Sequence, residues 1–170
     1  MRIVIDIQGL QSEGSSLRGI GRYTLAICKA LIKKFPNEEY ILFANSLLKD
    51  VRSLFQDELN NSEYNVIYFQ WYSILLDTEN IYQEETNTKI ALHLRSYSLE
   101  ILKADCFLIT SFFEGFKDNC FTGINPEYNL PPIFSIIYDL IPLINPDKYL
   151  DNNPIFKKFY LDKLKNIKNF

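Results

Sequence analysis

Short apolar segments alternate with longer amphipathic segments along this chain. The apolar segments are rich in β-branched and aromatic residues and predict strands at 2–7, 40–44, 65–69, 106–109 and 133–138. The amphipathic segments have helical spacing of apolar residues and predict helices at 20–34, 46–59, 84–103 and 154–170. Strands that alternate with helices are typical of βαβ units. We therefore predict an α/β fold: a single Rossmann-like domain over residues 1–170, with a mainly parallel sheet in the order 3-2-1-4-5 and helices on both faces.

The apolar faces of three predicted helices indicate which sides should pack against the sheet. They consist of Ile20, Ile27 and Leu31; of Ile90, Leu94, Tyr97 and Ile101; and of Phe156, Tyr160, Leu164 and Ile167. The lysines at 157, 158, 163, 165 and 168 are expected to form the solvated face of the last helix. The segment 111–130 is predicted to be a long loop.

Composition excludes several classes of protein. The 170 residues carry a formal net charge of −3, which argues against a nucleic-acid partner. The three cysteines, Cys28, Cys106 and Cys120, are widely spaced, so neither a disulfide framework nor a metal site is predicted. No segment reaches the ~20 apolar residues of a membrane span. We expect a cytoplasmic protein, with peripheral contact at the inner face of the membrane as an open alternative.

Two glycines stand between two arginines at the predicted start of the first helix. Such glycines let backbone N–H groups approach a ligand, and a helix N-terminus favours negative charge. The side chains of Arg18 and Arg22 add donors that fit phosphate. Gly19 and Gly21 lack the spacing of a dinucleotide-binding turn, and no P-loop sequence follows, so no cofactor is predicted. The alternative is a flexible loop that only precedes a helix.

Two acidic segments are expected at the same edge of the sheet, since ligands of open parallel sheets bind outside the carboxyl ends of the strands. Asp139 follows the fifth strand, where a carboxylate could accept a substrate hydroxyl or assist proton transfer. Its alternative role is to cap the next turn. Ser111 and Glu114 follow the fourth strand and offer a hydroxyl and a carboxylate, with a purely structural role as the alternative.

Four segments carry a resemblance to a known family. They are Ile-Asp-Ile-Gln-Gly at 5–9, Leu-Arg-Gly-Ile-Gly-Arg-Tyr-Thr at 17–24, Ser-Phe-Phe-Glu-Gly at 111–115 and Tyr-Asp-Leu-Ile-Pro-Leu at 138–143. In this order they resemble the N-terminal half of bacterial GT-B glycosyltransferases of family 4. The resemblance implies a two-domain enzyme whose N-terminal half holds the acceptor and whose C-terminal half holds the nucleotide sugar. We expect this chain to be the acceptor-side half without the donor-binding half.

The resemblance also implies roles for individual residues. Gly19 and Gly21 would face the donor phosphates and the acceptor across the cleft, Asp139 would lie near the reacting sugar, and Glu114 would lie in a cleft-side loop. The family usually has histidine before this aspartate, close to the transferred sugar, whereas this chain has Tyr138. Tyrosine can donate a hydrogen bond, but its unperturbed pKa of ~10 makes it a poor base near neutrality.

These observations lead to one functional prediction and one competing hypothesis. The prediction is the acceptor-binding half of a glycosyltransferase that uses a nucleotide-sugar donor and a glycan or lipid-linked acceptor in cell-surface polysaccharide or glycoconjugate assembly. The full-length protein would be an enzyme, and the isolated chain would be inactive. The competing hypothesis is a non-catalytic α/β binding or interaction domain, which Tyr138 and the lack of a donor half favour.

Overall fold

The computed structural model describes residues 1–75, 81–116, 118–138 and 140–166. The strands are β1 (Arg2–Asp6), β2 (Glu39–Asn45), β3 (Asn65–Trp71), β4 (Cys106–Ile109) and β5 (Ile133–Ser135). They form a five-stranded sheet in the order β3-β2-β1-β4-β5, and every neighbouring pair is parallel. The predicted α/β fold and strand order are confirmed.

Helices connect the strands and follow the last of them. They are α1 (Gln8–Gln11), α2 (Gly19–Lys34), α3 (Gln56–Asn60), α4 (Ile81–Leu102), α5 (Ile141–Ile144), α6 (Pro146–Tyr149) and α7 (Pro154–Asn166), and a 3₁₀ turn at Arg52–Phe55 precedes α3. The four-residue helices α1, α5 and α6 are too short to show a periodic pattern, and the sequence did not predict them. Within the described ranges, no helix is long and apolar enough to cross a membrane.

Two predicted elements are longer in the sequence prediction than in the structure. The helix predicted at 46–59 is replaced by turns before α3, because Asn45 Oδ1 accepts the Leu47 N–H at 3.0 Å and Asp50 Oδ1 accepts the Arg52 N–H at 2.8 Å. The predicted strand 133–138 ends as β5 at Ser135, although Ile136 still donates its N–H to the Ile109 carbonyl at 2.9 Å.

The sheet separates two apolar clusters. Successive residues of a strand point to opposite faces, so Ile5 and Leu42 pack with α2, whereas Val4 and Ile41 pack on the other face. Cys28 of α2 is fully buried in the first cluster, and burial raises the pKa of its thiol to about 12. The most buried positions of α2 also include Thr24 and Ile32, one residue along from the predicted face.

The predicted packing face of α4 is wrong. Ile90, Tyr97 and Ile101 are 42%, 54% and 49% exposed, whereas Ala91 and Leu99 are buried. The helix face that packs against the sheet is therefore not the face that carries its largest apolar residues.

Arg95 explains this orientation of α4. Its side chain is fully buried and forms an ion pair with Asp6 at the end of β1. The guanidinium carbon lies 5.3, 5.5 and 5.3 Å from the ring centroids of Phe43, Trp71 and Phe107. The aromatic rings and the carboxylate together replace the solvation of the cation, and they hold the polar side of α4 against the sheet.

Candidate functional site

The glycine-bearing start of α2 and the segment after β5, which the sequence predicts to be functional, lie at the carboxyl edge of the sheet. A groove of about 470 Å³ opens between the start of α2 and the segment after β5. Its lining consists of Gly19, Ile20, Tyr23, Ile136, Ile137 and Tyr138. The glycine-bearing helix start and the end of the fifth strand, which are far apart in the sequence, are thus brought together.

Tyr138 forms one wall of this groove. Its ring contacts that of Tyr23 edge to face, with 5.5 Å between centroids and 87° between planes. Burial raises the pKa of Tyr138 above its ordinary value, and an interaction with the Thr24 hydroxyl partly offsets this rise. The phenol is therefore neutral near pH 7 and can act as a hydrogen-bond donor rather than as a base. Asp139, the residue predicted beside it, lies outside the described residues.

The two glycines of the helix start have different surroundings. A Cβ on Gly21 would lie 2.7 Å from the Ser16 Cα, and the Gly21 N–H donates to the Ser15 carbonyl at 3.0 Å. Gly21 therefore lets the loop 12–18 pack directly on α2. A Cβ on Gly19 would meet no atom within 4 Å, so this glycine leaves open space at the mouth of the groove.

Arg18 and Arg22 flank this helix start and are exposed. Arg18 is the N-cap residue of α2, and no side chain caps the helix there. The first turn contains no acidic residue, so its positive end is not neutralised locally. Within the described part of the chain, neither arginine side chain makes an ion pair, which leaves both guanidinium groups accessible to an anion.

Ser111 and Glu114 lie close together, but they are not among the residues that line the groove. Ser111 Oγ donates to Glu114 Oε1 at 2.7 Å, and Ser15 Oγ donates to Glu114 Oε2 at 3.0 Å. Glu114 is buried. The carboxylate thus joins the loop after β1 to the loop after β4, next to the groove.

Gln8 organises the same edge, and the sequence analysis did not single it out. Its Nε2 donates to the Phe121 carbonyl at 2.8 Å and to Asp6 Oδ2 at 3.1 Å. Its Oε1 accepts the Phe121 N–H at 2.9 Å and the Asn45 amide at 3.1 Å. An amide side chain directly after a buried strand was the sequence signal for this role, because a buried polar group requires partners.

The prediction that all the lysines of α7 are solvated is wrong for Lys163. Lys157, Lys158 and Lys165 are exposed as expected, and position 168 lies outside the described residues. The Lys163 ammonium instead donates to Thr122 Oγ1 and lies near the rings of Phe112 and Phe159, at 5.9 and 5.4 Å from their centroids.

The electrostatic surroundings of Lys163 are mixed. Burial, and then the positive charge of Arg95, lower the pKa of Lys163 to about 8, while Cys120, Glu114 and Asp6 oppose the shift. Although the residue as a whole is only half-buried, its amine is enclosed. The Lys163 ammonium group is thus a positive charge that lies close to the loop containing Glu114.

A group of potential metal ligands occurs in this loop among the residues described. One ligand atom from each of Glu114, Asp118 and Cys120 lies within 4.8 Å of the other two. Burial raises the pKa of Cys120 well above its ordinary value, so the thiol is protonated, whereas metals bind the thiolate. Asp118 already accepts hydrogen bonds from Ser12 Oγ at 2.6 Å and from the Cys120 N–H at 3.0 Å. Asp118 therefore anchors this loop through hydrogen bonds.

The fold is a parallel α/β domain with an open groove at the carboxyl edge of its sheet, and comparison with known proteins relates it to a glycosyltransferase. No family model matches the chain. The serotype-specific mannosyltransferase WbdA of Escherichia coli is 31% identical over 170 residues, which cover 96% of this chain and 19% of that protein. Another Escherichia coli protein of the same name is 28% identical over 118 residues, which cover 69% of this chain and 14% of that protein. The chain thus spans about a fifth of the length of the first relative.

Proposed function

We propose that this chain is the acceptor-binding half of a glycosyltransferase of the GT-B type and of family 4, which transfers a sugar from a nucleotide-sugar donor. The observation that carries the proposal is the similarity to a mannosyltransferase over 96% of the chain. Mannose is accordingly the first sugar to test. The acceptor would be a growing glycan, free or lipid-linked, of a cell-surface polysaccharide or glycoconjugate, and a lipid-linked acceptor would bring the domain to the membrane surface.

The groove and its rim supply the groups that such a reaction needs. The open N-terminus of α2 and the exposed Arg18 and Arg22 offer N–H donors and positive charge to a diphosphate leaving group. Stabilisation of that developing charge would be the main catalytic device. Asp139 would lie near the reacting sugar, and the neutral Tyr138 would donate a hydrogen bond.

The proposal assigns donor binding to a separate domain. The alignment covers only 19% of the relative, and the groove has one wall from α2 and one from the segment after β5. Transfer requires donor and acceptor to be held together in a reactive geometry. We therefore expect the 170-residue chain to bind acceptor and to lack turnover by itself.

A non-catalytic binding domain is the second candidate. It is favoured by the engagement of Ser111 and Glu114 with each other and with Ser15, and by the buried hydroxyl of Tyr138. Such a domain would bind a ligand in the groove without any contribution to transfer.

Acceptor binding can be tested by titration of the ¹⁵N-labelled chain with mannose disaccharides. The backbone resonances of Gly19, Tyr23 and Ile136 should shift, and parallel assays with nucleotide-activated mannose should show no transfer. Shifts confined to the opposite edge of the sheet would refute the acceptor site. Turnover by the chain alone would refute the assignment of donor binding to another domain.

A chimera separates the enzyme from the binding module. In it, this chain replaces the matching segment of Escherichia coli WbdA, and folding is checked by circular dichroism. We expect the chimera to transfer mannose. Arg18→Ala and Arg22→Ala should each reduce this activity at least ~10-fold, because each removes charge-assisted hydrogen bonds. A folded chimera without activity would support the non-catalytic alternative.

A further inference from the structure

Tyr23 is an aromatic residue that the fold leaves in the open. It lies one helical turn after Gly19 on α2 and lines the groove, yet it is 54% exposed. Its position on the helix face beside Ile20 does not place it in either apolar cluster. Core packing therefore does not account for this ring.

The surroundings of Tyr23 hold its ring at the groove and leave room beside it. The edge-to-face contact with Tyr138, at 5.5 Å between centroids, restricts the orientation of the ring. The space at Gly19 is open, because a Cβ there would meet nothing within 4 Å. An oriented aromatic ring next to empty space, one turn from the start of α2, forms a preformed platform.

We propose that Tyr23 is the residue on which the acceptor sugar ring stacks. This inference rests on the proposed acceptor role of the groove. The face of an aromatic ring carries partial negative charge, and the C–H bonds on the less polar side of a pyranose carry partial positive charge. The two surfaces attract each other, while the sugar hydroxyls on the ring edge remain free to bond the backbone at the start of α2.

The groove favours a neutral sugar over a charged ligand at this position. Its described lining contains two tyrosines, three isoleucines and a glycine, and no charged side chain. Arg18 and Arg22 lie at the helix start outside this lining, where they suit the donor diphosphate instead. Tyr23 thus marks the acceptor subsite, separate from the cationic rim.

The test compares dissociation constants of a mannose disaccharide for variants of the 170-residue chain. Tyr23→Leu should weaken binding by about tenfold or more, whereas Tyr23→Phe, which keeps the ring, should bind nearly as well as wild type. Tyr97→Leu is the matched control, because Tyr97 is also 54% exposed and lies on α4. Saturation of the Tyr23 ring protons should transfer to the sugar C–H protons, a signal that a merely structural role would not produce.

The outcomes separate the inference from the proposed function. Wild-type binding that Tyr23→Leu leaves unchanged would overturn the stacking role while the acceptor site stands. Equal losses for Tyr23→Leu and Tyr23→Phe, without saturation transfer, would also overturn it and would indicate a contact through the hydroxyl. Absence of any mannoside binding to the wild-type chain would overturn both the acceptor site and this inference.

Discussion

Gly19 and Gly21 stand two residues apart, and their different surroundings lead to opposite predictions. Gly21→Ala should lower the free energy of unfolding by at least about 2 kcal/mol, because its Cβ would meet the Ser16 backbone, which cannot move aside as a side chain could. Gly19→Ala should leave stability unchanged or raise it by up to about 1 kcal/mol, since its site is open and alanine restricts the unfolded chain.

Urea denaturation of both variants measures the difference. Equal stabilities would contradict the packing of the loop 12–18 against α2. The mannoside titration adds a second measurement, because a methyl group at position 19 protrudes into the mouth of the groove. Gly19→Ala should therefore weaken ligand binding without a loss of stability.

At the scale of residues, the sequence could predict which positions reach the carboxyl edge but not what each side chain does there. Gly19 and Tyr138 are brought together because the ends of β1 and β5 are on one edge of a parallel sheet, as the strand order required. The pairing of Ser15 with Glu114 could not be predicted, because it depends on the path of two loops that have no periodic pattern.

Among the helices, α7 carries a buried amine that predicts a pH-dependent stability. The pKa of Lys163 is about 8 in the folded chain and 10.5 as its ordinary value. Between these values the unfolded state binds more protons, so the Lys163 contribution to stability should rise with pH. Relative to Lys163→Met, the wild-type free energy of unfolding should increase by about 2 kcal/mol from pH 8 to pH 10.

Subtraction of the variant removes effects that both proteins share, including titration of the buried thiols of Cys28 and Cys120. Lys158→Met is the matched control, because Lys158 is exposed on the same helix and its removal should not change the pH profile. Parallel profiles for wild type and Lys163→Met in urea denaturation at pH 7, 8, 9 and 10 would show that the amine is not buried.

Helix α4 shows why an amphipathic pattern can predict an element correctly and its packing face incorrectly. The spacing of Ile90, Leu94, Tyr97 and Ile101 gave a helix whose existence is confirmed. The pattern treats every charged residue as solvent-facing, whereas Arg95 has Asp6 and three aromatic rings as buried partners. Those partners belong to four different strands, β1 to β4, so no local pattern contains them.

At the scale of the whole molecule, the sheet could be predicted because it depends on a few simple rules. Strands that alternate with helices favour a parallel sheet, and the short apolar runs indicate which segments are strands. The loop between β4 and β5 was less predictable, because its course depends on buried polar anchors such as Gln8 and Asn45. A contact between groups distant in sequence, the rings of Tyr23 and Tyr138, likewise joins the two walls of the groove.

The Asp6–Arg95 pair connects the central strand β1 to α4, and its loss should affect the entire domain. Arg95→Met should lower the free energy of unfolding by about 3–5 kcal/mol, because it leaves a buried carboxylate without its cation. Asp6→Asn combined with Arg95→Met should regain most of that loss, since no uncompensated charge remains and since Arg95 Nε and Nη1 have no hydrogen-bond partner among the described residues.

The exposed pair Arg52–Asp50 provides the control for this cycle. Its side chains are 54% and 55% exposed with 4.0 Å between the charged atoms, so Arg52→Met should change stability by less than about 1 kcal/mol. Denaturant unfolding of the two single variants and the double variant gives the coupling directly. A double variant no more stable than Arg95→Met would show that Arg95 acts through its contacts with Phe43, Trp71 and Phe107 rather than through the charge of Asp6.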